Sequence, residues 1–309
     1  MHSHQNHNHH SDGSNKRIAL AFFLNLGFTV IEFIGGLLTN SAAIMADAVH
    51  DLGDCISIGS AWILGSLSKR KGDKTFSYGY RRLSLLGALF NGLVLVCGSI
   101  WVLSEALPRL VEPVMPDAQG MLLLAILGVA VNGYAAFRLS EGKTLNERVL
   151  NWHLIEDALG WVAVFVVALI LQFVSWPILD PLLSICFTLF VLFNVAKVLW
   201  ETGRIFLQAV PDPSLMNKIK SNLTSLDGVE GLHHVHLWSL DGEKHVFTAH
   251  VVLGKSFDIE DYNDMKRRME SVLAPFELLH STIEIELRGE HCRDASTNDD
   301  VSSTLIAPH

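Results

Sequence analysis

The chain has 309 residues, of which 50% are hydrophobic and only 18% are charged, and its formal net charge is −9 with every histidine counted as neutral. Soluble proteins average about 25% charged residues, so this composition predicts a membrane protein with a smaller soluble part. The negative charge and the lack of a basic patch with interleaved aromatic residues argue against nucleic-acid binding. Four scattered cysteines without a CxxC pair argue against a disulfide framework or a thiolate zinc site.

Residues 1–16 form a polar, histidine-rich segment at the start of the chain. A signal peptide needs an apolar run at this position, so we do not expect the segment to be cleaved. Two roles remain open: a solvated cytoplasmic tail, or a segment that loosely chelates divalent cations. The histidines concerned are His2, His4, His7, His9 and His10.

Six apolar segments follow, and each is long enough to cross a bilayer, which takes about 20 residues. They are residues 17–39, 41–67, 83–107, 117–138, 147–172 and 177–207. Nearly all lysines and arginines near these segments fall on one side of the membrane, whereas the other side has only Arg109. Under the positive-inside rule, residues 17–208 are expected to be a six-helix transmembrane domain with both termini in the cytoplasm.

Residues 209–290 have the pattern of a small soluble domain. A helical run with Leu215, Ile219 and Leu223 on one face precedes two β-rich runs, "GLHHVHLWSL" and "EKHVFTAHVVL". A second helical run, "DIEDYNDMKRRMESVLAPF", and a last strand, "STIEIELRG", complete the order αββαβ. We therefore expect a cytoplasmic two-layer α+β domain, followed by a disordered tail at residues 291–309.

Two pairs of ionisable residues interrupt the second and fifth apolar segments. His50 and Asp54 are four residues apart, as are His153 and Asp157, so each pair lies on one face of its helix. Ionisable groups inside a membrane are costly unless they are paired or functional. Two nitrogens and two carboxylates suit a tetrahedral Zn²⁺ site and neutralise one divalent cation. Each pair begins several residues inside its segment, near the middle of the membrane, and antiparallel neighbours can align the two pairs at one depth.

Other carboxylates near the first pair have less definite assignments. Asp47, one turn before His50, could orient that histidine as a hydrogen-bond acceptor behind the metal site. Asp51 points elsewhere on the helix and is assigned a structural role. Glu32 and Asp180 are assigned by default to packing or to helix-end contacts.

The chain resembles the cation diffusion facilitator family of divalent-metal/proton antiporters over about residues 17–288. The resemblance rests on the six segments, the two His/Asp pairs, the basic "FSYGYRR" loop, and "GLHHVHLW", "FTAHV" and "STIEIE". It implies a homodimer, in a bacterial inner membrane, that exports metal from the cytoplasm against protons by alternating access. The version with two histidines and two aspartates is similar to the zinc-preferring branch of the family.

The same resemblance implies a metallochaperone-like cytoplasmic domain that dimerises and binds metal. The matching positions are His233 or His234, His250, Glu284 and Glu286. For each of these histidines, a solvated position on a strand remains an alternative. The loop between the second and third apolar segments contains no histidine, so we expect no metal site there.

The expected mechanism is a competition between metal and protons. A metal-bound histidine must be neutral and a metal-bound aspartate must be ionised, so protons displace the metal. The ligand set favours Zn²⁺ as the transported ion and leaves Cd²⁺ or Co²⁺ possible.

Other classes of function are less consistent with these residues. An intramembrane metalloenzyme is disfavoured because HExxH is absent and four protein ligands leave no position for an activated water. A membrane-bound metal sensor is disfavoured because no effector signature follows the apolar segments.

Overall fold

The computed structural model describes residues 8–140, 145–254 and 258–294. It divides into two compact units: residues 1–67 with 86–199, here called the helical unit, and residues 68–85 with 200–309, here called the mixed unit. His2, His4 and His7 lie outside the described residues. His9 and His10 lie at the start of the first helix, but their side chains are outside the described part as well. The metal-chelating role suggested for this segment therefore stays a prediction.

Long helices account for nearly all of the helical unit. They are α1 (Asn8–Thr39), α2 (Ala42–Ser68), α3 (Leu83–Ala106), the short α4 (Pro108–Val111), α5 (Ala118–Ser140), α6 (Leu145–Phe173) and α7 (Leu179–Phe206). Helix α1 begins inside the segment expected to be a tail. The other long helices follow the expected apolar segments within a few residues.

Among the residues that the structure describes, five helical stretches are long and apolar enough to cross a membrane: 22–39, 83–111, 118–140, 151–173 and 179–206. Helix α2 has 27 residues, so it is as long as the others, but it contains Asp47, Asp51 and Asp54. Large apolar side chains on the other helices face outward, such as Phe173, which is 82% exposed, and Phe193, which is 72% exposed. Such faces need lipid around them.

A network of hydrogen bonds fixes the start of α2. Ser41 accepts a hydrogen bond from the Ile44 amide, as an N-cap residue does. The Asp180 carboxylate accepts hydrogen bonds from the Ser41 hydroxyl at 2.5 Å and from the Ala42 and Ala43 amides at 2.7 and 3.2 Å. The helix-end role expected for Asp180 is confirmed, and this carboxylate ties the start of α7 to that of α2.

Small residues allow the helices to approach one another closely. A Cβ atom on Gly98 would collide with Val49 of α2, and one on Gly53 would collide with Leu95 of α3. A Cβ atom on Gly128 of α5 would likewise overlap the indole of Trp161 on α6. Close backbone approach at small residues is the usual way in which helices pack inside a membrane.

The mixed unit contains helices and a three-stranded sheet. Its elements are α8 (Pro213–Thr224), β1 (Val229–Ser239), β2 (His245–Leu253), α9 (Ile259–Leu273) and β3 (Leu278–Leu287). The strand order is β1-β2-β3, with β1 and β2 antiparallel and β2 and β3 parallel. The core between sheet and helices includes Ile219, Phe247, Val251, Met265 and Met269, each at most 2% exposed. Side chains on the same sheet face are thereby held in fixed register.

The loop between α2 and α3 is folded rather than extended. Asp73 accepts hydrogen bonds from the amides of Thr75 and Phe76 and from the Tyr80 hydroxyl at 2.7 to 2.9 Å. Arg81 then donates to the Asp241 carboxylate at 3.0 Å, in the turn between β1 and β2. The basic loop therefore contacts the sheet within the mixed unit.

Candidate metal centres

The two His/Asp pairs predicted from sequence meet inside the helical unit. Nε2 of His153 lies 2.8 Å from Oδ2 of Asp54. Nε2 of His50 lies 3.6 Å from Oδ2 of Asp54 and 3.8 Å from Oδ1 of Asp157. Each of the four residues has a donor atom within 4.8 Å of the others. Helices α2 and α6 thus bring together the four side chains that the sequence singled out.

The separations match those expected around a tetrahedral ion. With ligands at about 2.0 to 2.1 Å from Zn²⁺, neighbouring donors of a tetrahedron are about 3.3 to 3.4 Å apart. The donor separations given above, together with the 3.9 Å between Nε2 of His153 and Oδ2 of Asp157, fall on both sides of that value. A shift of a few tenths of an ångström would bring the donors onto one ion.

The polar atoms of this site are buried without ordinary partners. Within the described residues, no hydrogen bond reaches Asp54 Oδ2, His153 Nε2 or Asp157 Oδ2. Asp157 is only 4% exposed, and the ring of Phe187 covers that of His50 at 5.4 Å between centroids. Buried polar atoms left without partners are costly, and a bound cation would satisfy all of them together.

In the described part of the chain, Asp47 makes no hydrogen bond to the Nδ1 atom of His50. His50 Nδ1 and Asp47 Oδ2 each lack a hydrogen-bond partner among the residues that the structure describes. Asp47 instead joins Glu32 and Asp51 in a second cluster whose carboxylates lie within 4.8 Å of one another. The three side chains are 0 to 3% exposed. Orientation of His50 by Asp47 therefore stays a prediction for the metal-bound site.

The cluster of three carboxylates was not predicted. From sequence, Glu32 is expected in packing or helix-end contacts, Asp47 behind His50 and Asp51 in a structural role, and no spacing pattern joins the three. Three like charges this close and this buried repel one another, so the cluster requires a proton or a cation to be stable.

A further set of donors lies on the sheet of the mixed unit. His250 Nδ1 is 2.8 Å from Glu286 Oε1, and His233 Nε2 is 3.1 Å from Glu286 Oε2. Sγ of Cys292 lies 3.6 Å from His250 Nδ1. These four residues again have donor atoms within 4.8 Å of one another. Three of them are positions that the sequence suggested, and Cys292 is new.

The remaining cytoplasmic candidates lie on the other side of His250. Its Nε2 is 3.6 Å from both Glu284 and Asp294. Glu284 is already paired with Arg293 at 2.6 Å. The ring of His234 is 4.9 Å from that of His250. Glu284, Asp294 and His234 line a cavity of about 360 Å³ together with His250, but these three do not belong to the four-donor set.

The electrostatics of the set follow from its contacts. Burial alone would raise the pKa of Glu286, but hydrogen bonds from His250 and Cys292 and the charges of the two histidines lower it below its usual value of 4.5. Loss of solvation and the neighbouring Glu286 carboxylate raise the pKa of the Cys292 thiol. The Cys292 thiol therefore donates a hydrogen bond to the Glu286 carboxylate when no metal is bound.

Comparison with known proteins adds two family matches. Residues 18–207 match the family model described as the cation efflux transmembrane domain, and residues 211–287 match the one described as the cytoplasmic domain of cation efflux proteins. The first match contains both His/Asp pairs, and the second contains His233, His250 and Glu286.

Several curated proteins are similar to the chain over most of its length. One is the cadmium, cobalt and zinc/H⁺-K⁺ antiporter of Bacillus subtilis, 31% identical over 90% of this chain and 91% of the relative. The zinc transporter ZitB of Pectobacterium atrosepticum is 33% identical over 93% and 91%. The metal cation efflux system protein CzcD of Cupriavidus metallidurans is 31% identical over 97% and 96%.

Proposed function

Because this chain belongs to the cation efflux family, we propose that it exports a divalent metal ion, Zn²⁺ above others, in exchange for protons. The observation that carries the proposal is the convergence of His50, Asp54, His153 and Asp157 within 4.8 Å inside the helical unit. In this proposal the metal ion is the cargo, and the four side chains are its ligands.

The proposed topology has six transmembrane helices, with α2 as the sixth beside the five apolar stretches. The bound metal ion would offset the free-energy cost of placing polar residues of α2 inside the membrane, because Asp54 and His50 face the site rather than lipid. Both termini and the mixed unit are then cytoplasmic, and the membrane is the bacterial inner membrane. The excess of lysine and arginine on one side supports this orientation.

Proton coupling follows from the ligand chemistry. The metal-bound site needs two neutral imidazoles and two carboxylates, so protonation of a histidine or an aspartate removes a ligand. Metal loaded at the cytoplasmic face would be displaced by protons at an acidic outer face, and the protonated site would return inward. Alternating access then couples the two fluxes without covalent chemistry. The names of the relatives, which specify H⁺ and K⁺ exchange in one case, support antiport.

Zinc is the proposed cargo because two nitrogens and two oxygens at near-tetrahedral spacing suit Zn²⁺. Cobalt and cadmium can occupy similar sites, whereas Mg²⁺ and Mn²⁺ prefer octahedral oxygen ligands. The relatives are named for zinc, cadmium and cobalt, which fits this order.

We further propose that the mixed unit binds a regulatory metal through His233, His250 and Glu286, and that the protein is a homodimer. Two imidazoles and a carboxylate within 4.8 Å of one another are the ligand types that bind Zn²⁺ in proteins. On β3, Leu279 is 42% and Leu287 48% exposed, which leaves apolar surface for a second copy.

The test of coupled transport uses the purified chain reconstituted into vesicles. Zinc uptake and internal pH are recorded with and without an imposed pH gradient. Antiport requires that the gradient drives zinc uptake and that zinc entry moves protons the other way. Equal zinc uptake with and without the gradient, with no proton movement, would indicate a channel and overturn the proposal.

A further inference from the structure

Cys292 lies beyond the last strand, in a segment that the sequence assigned to a disordered tail. Gly289 has a left-handed φ of 82°, and the Glu290 amide donates to the Leu287 carbonyl at 2.9 Å. The Glu290 carboxylate in turn accepts from the Leu287 amide at 2.9 Å. This tight turn reverses the chain after β3, and Cys292 returns to the sheet face that carries His250.

The sheet register explains why the other donors meet there. His233 of β1 pairs with His250 of β2, and His250 pairs with Glu284 of β3. Because side chains alternate across a strand, Glu286 lies on the same face as Glu284. His250 is 8% and Glu286 5% exposed, so both are largely removed from water.

A bulge in β1 brings a second histidine to this face. The register of β1 shifts between His233 and His236, and His234 has a φ of 47°, which is uncommon for a residue other than glycine. As a result, the rings of His233 and His234 lie 5.3 and 4.9 Å from that of His250, although adjacent residues of a regular strand point to opposite faces. Bulges and strained residues of this kind concentrate at functional sites.

We propose that Cys292 is the fourth ligand of the metal site formed by His233, His250 and Glu286, and that its sulfur makes this site prefer Cd²⁺ and Zn²⁺ to harder divalent cations. The inference rests on the proposed regulatory site and adds its fourth ligand and its selectivity. One thiolate and one carboxylate neutralise a divalent cation, and two imidazoles complete four-coordination. Thiolate sulfur is a soft ligand, so it favours soft and borderline ions over Mn²⁺ or Mg²⁺.

Cobalt spectroscopy tests the thiolate directly. The full-length chain carries Asp54→Asn and Asp157→Asn, which remove the transport site, and is titrated with Co²⁺. Tetrahedral Co²⁺ gives intense visible bands, and a thiolate ligand adds a sulfur-to-cobalt charge-transfer band in the near ultraviolet. We expect both signals in this background, and we expect Cys292→Ser to abolish the charge-transfer band.

The matched control is Cys186→Ser, which removes a cysteine from α7 and should leave the band unchanged. Tetrahedral bands without a charge-transfer band would overturn the assignment of Cys292 as a ligand. They would leave the site formed by His233, His250 and Glu286 in place. No tetrahedral signal would overturn both the site and its fourth ligand, without bearing on transport. A band that persists in Cys292→Ser would also overturn the assignment.

Competition titrations test the selectivity. Loss of a direct ligand should weaken Cd²⁺ binding by more than the roughly 10- to 100-fold that follows loss of an outer-shell partner. Mn²⁺ binding should change far less, because Mn²⁺ gains little from sulfur. Equal losses for Cd²⁺ and Mn²⁺ in Cys292→Ser would contradict the proposed role of the thiolate. The circular dichroism spectrum of the variant distinguishes a lost ligand from a misfolded domain.

Discussion

His153 on α6 places its Nε2 atom 2.8 Å from Oδ2 of Asp54 on α2. Neither atom has a hydrogen-bond partner in the ranges that the structure describes, although both are buried. The two helices therefore meet at this point through a nitrogen and an oxygen that can bind one cation together. The proposed transport cycle depends on this relationship, because separating α2 from α6 would divide the ligand set.

Replacing His50 with aspartate should broaden metal selectivity. His50→Asp exchanges a borderline nitrogen donor for a hard oxygen donor, which favours Mn²⁺ and other oxygen-preferring ions. Initial uptake rates for a panel of divalent ions, measured in vesicles, should show a smaller preference for Zn²⁺. An unchanged panel would mean that His50 does not act as the selectivity filter.

The crossing of α5 and α6 should be intolerant of side chains at Gly128. In Gly128→Ala, the new methyl group would overlap the indole of Trp161, which is fully buried. Overpacking of this kind costs about 1 to 3 kcal/mol, so the thermal midpoint in detergent should fall. Gly133→Ala is the matched control on the same helix, since its Cβ meets nothing within 4 Å in the described part of the chain. Equal midpoints for the two variants would contradict this close packing.

The start of α2 should depend on Asp180. Asp180→Ala removes the acceptor for two α2 amides and for Ser41, and loss of a helix cap costs about 0.5 to 2 kcal/mol. Because the capped helix carries His50 and Asp54, zinc affinity should fall together with thermal stability. The comparison variant is Glu105→Ala. The Glu105 side chain is 59% exposed, and its contact with Arg109 is long, at 4.0 Å. A lowered thermal midpoint with unchanged zinc affinity would show that the cap does not position the site.

The β1–β2 turn should be sensitive to acid through Asp241. Burial alone would raise the pKa of Asp241, but hydrogen bonds from the Lys244 amide and from Arg81 lower it below 3.8. A carboxylate with a lowered pKa stabilises the fold fully above its unfolded pKa, and this stabilisation is lost as the pH falls through the folded pKa. The contribution of Asp241 should therefore be complete above about pH 4 and should disappear below it.

Hydrogen exchange of the full chain tests this pH dependence. After correction for intrinsic rates, the amides of the turn should lose protection below about pH 4, and Asp241→Ala should expose them at neutral pH. Asp227→Ala, at an exposed position in the same unit, is the control. A turn that stays protected in Asp241→Ala would rule out the proposed role of this carboxylate.

The site residues that could be predicted from sequence are those with local spacing. The i,i+4 periodicity placed His50 with Asp54 and His153 with Asp157, and the shared depth of the two segments allowed the pairs to meet. The approximate bounds of α2 and α6 could also be predicted, because each helix coincides with one apolar segment of the sequence. These features are set by helix geometry, which the sequence carries directly.

Features that depend on long-range contacts could not be predicted. The meeting of Glu32 with Asp47 and Asp51 depends on the rotation of α1 against α2, which a single apolar segment does not specify. Cys292 reaches His250 only because the turn at Gly289 reverses the chain after β3. The bulge at His234 is equally invisible, since the strand pattern there predicts regular alternation.

The most direct test of the central claim is zinc uptake by vesicles that contain single variants of the four proposed ligands. The variants are His50→Ala, Asp54→Asn, His153→Ala and Asp157→Asn, each compared at equal protein content. Glu156→Gln, which changes the carboxylate beside Asp157 on the same helix, serves as the matched control. Saturable uptake should disappear in all four variants and persist in the control. Wild-type uptake and affinity in any one of the four would contradict the proposed ligand set.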